Sequence, residues 1–383
     1  MRICYLADGR SAHFHRWLKY FAGRGYEMSF ISYQPINDER VKQIEQSGAS
    51  YIGAVGPFHV KKFWKTLHSL WWLKKACRES KIDILHCHFL SFNAWYAALS
   101  GFHPLVITIM GGGDVCGPDW KPRGALASAL TPYSLRRADL ITSWSPLTGE
   151  VVNRWRKGRA PIEVTHGGVD FRVFYRAEKP NYLRKRLNLP ADAKVIFSPR
   201  LMRPLSNIHQ IALAAVNACY KESNAYFIFA HPTSTVDVEY KNKVESIVKE
   251  GGITEHVRFV DAIPHGEMAD HYRLADVTVT IPETDGTPMT VLESMACGTP
   301  VVVGDIPDYD PHYIEPGETV LSVRPQDTAG LAQAILRLLD DSDLAGRLAT
   351  EAWNRVRMTG GYEAQMSRME KLYLSLANND RPI

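Results

Sequence analysis

The chain has 383 residues, 45% of them hydrophobic and 22% charged, with a formal net charge of +4 at pH 7. That is the composition of a soluble globular protein with room for two domains at ~150 residues each. It excludes a spanning helix, because no apolar run approaches ~20 residues. It also excludes a disulfide frame or zinc knuckle, because Cys4, Cys77, Cys87, Cys116, Cys219 and Cys297 are scattered and form no C-x-x-C pair. The net charge conceals an asymmetry: residues 1–180 hold 25 Lys and Arg against 14 Asp and Glu, and residues 181–383 hold 20 against 27. A basic first half suits an anionic partner such as nucleic acid, a membrane surface or a phosphorylated acceptor.

In chain order, MRICYLADG at the start reads as a strand rather than a signal peptide. Strand-like runs follow at 27–32, 82–88, 104–110, 139–144 and 161–165, then at 194–198, 225–230, 256–260, 276–281, 299–303 and 319–323. Stretches of helical length and periodicity separate them. This is the βαβ rhythm of a doubly wound parallel sheet, present twice. The polar stretch 176–187, with Pro180, reads as the linker, and Gly360-Gly361 as a hinge before a last helix at 362–377. A nicotinamide enzyme is disfavoured: the first turn, ADGRSAH, has one glycine where a dinucleotide site needs G-x-G-x-x-G.

Three local patterns have bland readings that compete with functional ones. His86 and His88 share a strand face, but no third metal ligand stands out nearby, so one reads as packed and the other as facing a cleft. Asp308-Tyr309-Asp310 reads as a loop. In the segment 57–81, a helical wheel puts Phe63, Leu67, Leu70 and Trp71 on one face and Trp72 opposite, among Lys65, His68 and Lys75. An outward Trp among lysines suits a membrane interface, and an ordinary amphipathic helix with one odd Trp explains it equally well. RWRKGR at 154–159 adds basic charge, but no nucleic-acid recognition module is present.

The most informative segment is Ile281 to Val303, IPETDGTPMTVLESMACGTPVVV. A β-branched strand ends at Pro282, Asp285-Gly286 makes a turn, Thr287 is placed to cap a helix and Pro288 to open it. Met289, Leu292 and Ala296 form one apolar helical face, which Gly298 ends. A helix that starts just outside a strand's carboxyl end offers N–H groups and a positive dipole to a phosphate. Glu293, near the middle of that helix, is placed to accept hydrogen bonds from two ribose hydroxyls.

With SPRLMRPLSN at 198–207, ADLITSWS at 138–145 and HGGVDFRVF at 166–174, this segment resembles family 4 glycosyltransferases across nearly the whole chain. The resemblance implies an α/β fold of two doubly wound Rossmann-like domains facing across a cleft (GT-B): an acceptor-binding domain at 1–178, a nucleotide-sugar-binding domain at 179–360, and a C-terminal helix at 361–383 crossing back to the first. The family's Glu-x7-Glu motif stands here as Asp285-x7-Glu293. Carried over, Glu293 holds the ribose and Asp285 faces the transferred sugar, with Glu283 able to compensate for the shorter Asp. The backbone of Gly286, Thr287, Pro288 and Met289 lies against phosphate or sugar oxygens. Arg200 occupies the position of the diphosphate-binding Arg and the usual Lys is Leu205, so that either Arg203 replaces its charge or fewer cations hold the phosphates. Met110 stands where many relatives have His, whose role is either empty or passes to Asp114 or His88. Gly9, Arg10, His13 and Arg16 line the first-turn loop, His13 and Arg16 on the acceptor side with His88.

The implied activity is retaining transfer of a sugar from a nucleotide diphosphate sugar to an acceptor hydroxyl, of the hexosyltransferase type, in cell-surface polysaccharide or glycolipid synthesis. No metal and no cofactor beyond the donor are expected. The expected partners are that donor, a glycan or lipid-linked acceptor and an anionic membrane surface through 57–81, not nucleic acid. The expected location is cytoplasmic, peripheral at the inner face of the cell membrane. The losses at Leu205 and Met110 keep two alternatives open, a non-catalytic sugar-nucleotide-binding subunit and a nucleotide-sugar epimerase.

Overall fold

A computed structural model describes residues 1–9, 13–111, 114–115, 117–156, 162–230, 237–261 and 263–378. The chain forms two compact units, the first from Met1–Gly167 with Gln365–Ile383, the second from Gly168–Ala364. The division at Gly167 precedes the expected boundary after residue 178, and the expected linker at 176–187 instead contains a helix of the second unit.

The first unit runs β1 (Arg2–Ala7), α1 (His13–Gly23), β2 (Glu27–Ser32), α2 (Asp38–Gln46), β3 (Ala49–Ala54), α3 (Phe63–Glu79), β4 (Ile84–His88), α4 (Phe92–Ser100), β5 (Leu105–Ile109), α5 (Ala125–Arg137), β6 (Leu140–Ser143), α6 (Pro146–Arg156) and β7 (Ile162–Val164). Its seven strands are ordered β3-β2-β1-β4-β5-β6-β7 and pair in parallel. The central strands are apolar on both faces, as a sheet covered by helices on each side requires. Leu6, Ile31, Leu85 and Ile107 pack with Leu73, Ala97 and Leu135 of the helices.

The second unit runs α7 (Asn181–Arg186), β8 (Lys194–Ser198), α8 (Ile208–Lys221), β9 (Ala225–Ala230), α9 (Val238–Glu250), β10 (Val257–Val260), α10 (His265–Leu274), β11 (Val277–Thr280), α11 (Met289–Cys297), β12 (Val301–Gly304), β13 (Leu321–Val323), α12 (Thr328–Asp340) and α13 (Ser342–Thr359). The strand order is β10-β9-β8-β11-β12-β13, again parallel. Ile196, Phe227 and Val279 of the sheet pack against Ile211, Ala215 and Ile335. In each unit the order reverses at one strand pair, β1/β4 in the first and β8/β11 in the second. A parallel doubly wound sheet opens a crevice there, at the strands' carboxyl ends.

The last helix, α14 (Tyr362–Ala377), contributes Gln365 and the residues after it to the first unit. Its Tyr373 hydroxyl meets His86 Nδ1 and Tyr5 Oη, and Glu370 accepts from Arg24 and Tyr26.

Two expectations need correction. The edge strand β3 was not anticipated: ASYIGA is half-exposed and contains Gly53, so it shows neither an apolar run nor a clean alternation. The orientation of α3 is the opposite of the expected one. Its core side is Thr66, Leu73, Ala76 and Cys77. Trp72 is half-buried against Gly53 of β3, where a β-carbon would lie 2.7 Å from its Cζ2. Phe63, Leu67 and Trp71 face out. No helix among the described residues is long and apolar enough to cross a membrane.

Candidate functional site

In the second unit, the sequence-predicted residues gather at the β8/β11 switch point. Arg200 follows the end of β8, and Asp285 follows the end of the neighbouring β11. Their side chains form an ion pair at 2.6 Å, each mostly buried. The second Asp285 carboxylate oxygen accepts from the Gly286 N–H at 2.9 Å, which fixes the turn before α11. Arg203 is exposed close by. Desolvation lowers its pKa, as does the neighbouring positive charge of Arg200, and Asp285 opposes both. Leu205, where the family's Lys was expected, contributes backbone instead: its carbonyl accepts from the Glu283 N–H at 3.0 Å. Asn207 Nδ2 donates to the Ile281 carbonyl at 3.1 Å. The loops after β8 and β11 are thus tied together. Glu283 itself points to solvent.

The helix α11 begins one step later than the sequence suggests. Its N-cap is Pro288, not Thr287, and the first helical residue is Met289. Pro288 itself makes no side-chain cap hydrogen bond; the Val291 and Leu292 N–H groups turn back to its carbonyl. The positive end of the helix dipole therefore lies beside the Arg200–Asp285 pair, where a phosphate would gain most from it. Glu293, 7% exposed, is the fifth residue of this helix. The Tyr272 hydroxyl of α10 donates to it at 3.3 Å.

Sequence reasoning missed Tyr309. The Asp308-Tyr309-Asp310 triplet, expected as a loop, follows β12 and is a loop, but a buried one. Thr284 donates to Asp308 at 2.8 Å, which draws the triplet onto the 281–288 segment. The Tyr309 hydroxyl is buried with no hydrogen-bond partner among the described residues. Burial raises its pKa, and Asp285 adds to the effect while Arg200 opposes it. A usable signal existed: β12 pairs with β11, and in a parallel sheet all loops after the strands open on one edge. Tyr272, on the partner helix, carried no comparable signal.

In the first unit, Gly9 follows β1 and its N–H donates to Ser32 Oγ at 3.3 Å. A β-carbon there would meet Ile36 Cγ2 at 2.9 Å. Arg10 and the side chain of His13 lie outside the described residues. Arg16 is half-buried on α1. His88 was expected to face the acceptor but is fully buried, packed on Tyr5 and Trp17 and 4.4 Å in ring centroid from His86. His86 has both ring nitrogens engaged, by Tyr373 and by Thr108, so it is unsuited to a metal pair. Burial pushes its pKa well down, and His88 adds to that. Met110 is buried. Asp114 is buried too, and desolvation raises its carboxyl to about 7 against backbone hydrogen bonds from Leu90 and Met110. Its Oδ2 has no hydrogen-bond partner among the described residues.

Two parallel sheets, each reversing at a central strand pair and each flanked by helices, define Rossmann-like domains of the GT-B class. The family profile described as "Glycosyltransferase Family 4" matches residues 7–173, and "Glycosyl transferases group 1" matches residues 181–355. The chain belongs to this family of glycosyltransferases. It is 29% identical over 312 residues to a D-inositol 3-phosphate glycosyltransferase of Thermobispora bispora, covering 76% of this chain and 70% of the relative. It is 22% identical to an N-acetyl-alpha-D-glucosaminyl L-malate synthase of Bacillus anthracis, covering 99% and 97%. Among solved structures, Anabaena HepE in complex with UDP-glucose superposes with a TM-score of 0.80 at 16% identity, covering 98% of this chain and 100% of that one.

Proposed function

We propose that this glycosyltransferase is a retaining enzyme that binds a nucleoside diphosphate sugar in its second unit and transfers the sugar to an acceptor hydroxyl. The observation that carries the proposal is the Arg200–Asp285 ion pair across the β8/β11 switch point, with Glu293 on the helix that follows. Glu293 accepts the ribose hydroxyls. Arg200, Arg203 and the start of α11 face the diphosphate. Asp285 and the Tyr309 hydroxyl orient the sugar. Arg200 has five N–H donors, so it serves Asp285 and a phosphate together.

In the reaction, the bond from the anomeric carbon to the phosphate oxygen breaks, and the acceptor oxygen bonds to that carbon on the same face. The acceptor proton passes to the departing phosphate oxygen, so no protein nucleophile is needed. The chain's task is orientation and stabilisation of the leaving diphosphate. Arg200, Arg203 and the helix dipole supply positive charge for this without a metal. The relatives that act on inositol phosphate and malate, and the neighbour that holds UDP-glucose, support a hexosyl donor of this kind. The biological setting we propose is cytoplasmic assembly of a cell-surface polysaccharide or glycolipid, with the first unit binding the acceptor.

A thermal-shift screen with UDP-, GDP- and ADP-sugars tests the donor site. Stabilisation by one nucleotide class is expected, and none from any class refutes the assignment. One observation favours a second reading, sugar-nucleotide binding without transfer: Leu205 offers only its carbonyl where a cation was expected. Donor binding with no turnover on any acceptor would establish that reading.

A further inference from the structure

Among its described residues, the first unit exposes an apolar stripe that its own fold does not use. On α3, Phe63 is 61% exposed, Trp64 58%, Leu67 54% and Trp71 57%; Val60, just before the helix, is 65%. At 100° per residue these helical positions span about one third of the circumference, opposite Leu73 at the centre of the buried side. A monomeric protein rarely leaves so much large apolar surface contiguous. The other exposed apolar residues of this unit, such as Phe92 and Tyr133, are smaller exposures on separate helices.

The charge around the stripe identifies its occupant. From Val60 to Lys81 the chain carries Lys61, Lys62, Lys65, Lys74, Lys75, Arg78 and Lys81, all exposed, and a single acid, Glu79. Lys75 lies over the Trp71 ring at 5.4 Å and also reaches Glu79 at 3.8 Å. Tryptophan favours the headgroup level of a bilayer, where its ring is half in hydrocarbon and its N–H stays hydrated. Lysines beside it bury their stems and keep their ammonium groups among lipid phosphates. An aromatic stripe rimmed by one sign of charge on a helix of 17 residues is the pattern of a helix lying in the interface plane.

We infer that α3 docks this protein on an anionic lipid bilayer, with Phe63, Trp64, Leu67 and Trp71 inserted at headgroup depth and the surrounding lysines on the lipid phosphates. The stripe lies on the opposite side of the helix from Trp72, the residue that the sequence singled out. Each basic residue near the surface adds roughly fivefold to partitioning at low salt, so binding falls steeply as ionic strength rises.

The test is co-sedimentation of the full chain with vesicles of equimolar phosphatidylglycerol and phosphatidylcholine, against pure phosphatidylcholine. Binding to the anionic vesicles, lost by about tenfold or more in Trp64→Ala/Trp71→Ala and in Lys61→Glu/Lys62→Glu/Lys65→Glu, is expected. Tyr220→Ala, at an exposed aromatic of the second unit, should bind as the unaltered chain does. Quenching of tryptophan fluorescence by bromine-labelled lipid in the unaltered protein provides a readout that needs no variant. The inference is overturned by absence of vesicle binding, by binding that survives the double Trp substitution, or by a dimer in light scattering that this substitution dissolves while vesicles never bind.

Discussion

Replacing Glu293 by Ala should separate the structural role of this carboxylate from the role proposed for it in donor binding. In the unliganded protein the substitution removes the acceptor of the buried Tyr272 hydroxyl. A buried donor left without an acceptor costs about 1–3 kcal/mol. For a unit of this size that lowers the melting temperature by ~2–4 °C for each kcal/mol. A carboxylate that accepts two ribose hydroxyls contributes about 3 kcal/mol through two charge-assisted hydrogen bonds, so donor affinity should fall by ~150-fold. At a donor concentration ~100 times Kd, the unaltered protein gains about 2.7 kcal/mol, which the variant loses almost entirely. The assay is thermal unfolding with and without nucleotide sugar for Glu293→Ala, Tyr272→Phe and the double variant. The double variant should recover much of the unliganded melting temperature, because no orphaned hydroxyl remains, but it should show no donor shift. A donor shift retained in Glu293→Ala, or restored in the double variant, would refute the placement of the ribose on Glu293.

Tyr309→Phe should leave the unliganded melting temperature unchanged or raise it by the equivalent of ~1 kcal/mol, because the hydroxyl has no hydrogen-bond partner among the described residues. The same variant should weaken the donor shift, and equal donor affinity in a titration would remove Tyr309 from the site. Asp114 titrates near 7 in the folded protein, above its ordinary carboxylate value. Its contribution is therefore present below about pH 4 and lost as pH rises through about 7. Urea unfolding should show a decline on the order of 3 kcal/mol across that window which Asp114→Asn abolishes. Gly53→Ala should destabilise by roughly 1–3 kcal/mol, because the new methyl meets Trp72 and the backbone there has φ +150°. An unchanged melting temperature would contradict the packing of Trp72 on β3.

Much of the architecture was legible because parallel strands buried on both faces leave continuous β-branched and aromatic runs, as in KVIFS and AYFIFA. The edge strand β3 was not, because its outer positions are half-exposed and its register with β2 shifts between Tyr51 and Gly53. Asp285 and Glu293 could be picked out because their spacing is local to one turn and one helix, and Arg200 because SPRLMRPLSN resembles a segment of the family. The helix start at Met289 rather than Pro288 is a matter of backbone angles at Pro288, whose ψ of 117° is extended.

Tyr309 and α3 mark what local pattern cannot reach. A tyrosine between two aspartates looks like a solvated loop until β12 is placed beside β11 and Thr284 draws Asp308 in. A helical wheel shows that Phe63, Leu67 and Trp71 share a face, but not whether that face turns inward. The sequence by itself determined the two doubly wound sheets, because they rest on periodicity, and the family, because its motifs survive as short runs of residues; the acid and arginine proposed for the donor site followed from that resemblance. Only the tertiary structure decided which helix face meets the core, that His88 is sealed among Tyr5 and Trp17, and that the loop after β12 carries a buried Tyr309 hydroxyl. Those outcomes depend on which strands become neighbours, and that is settled by long-range packing rather than by any run of adjacent residues.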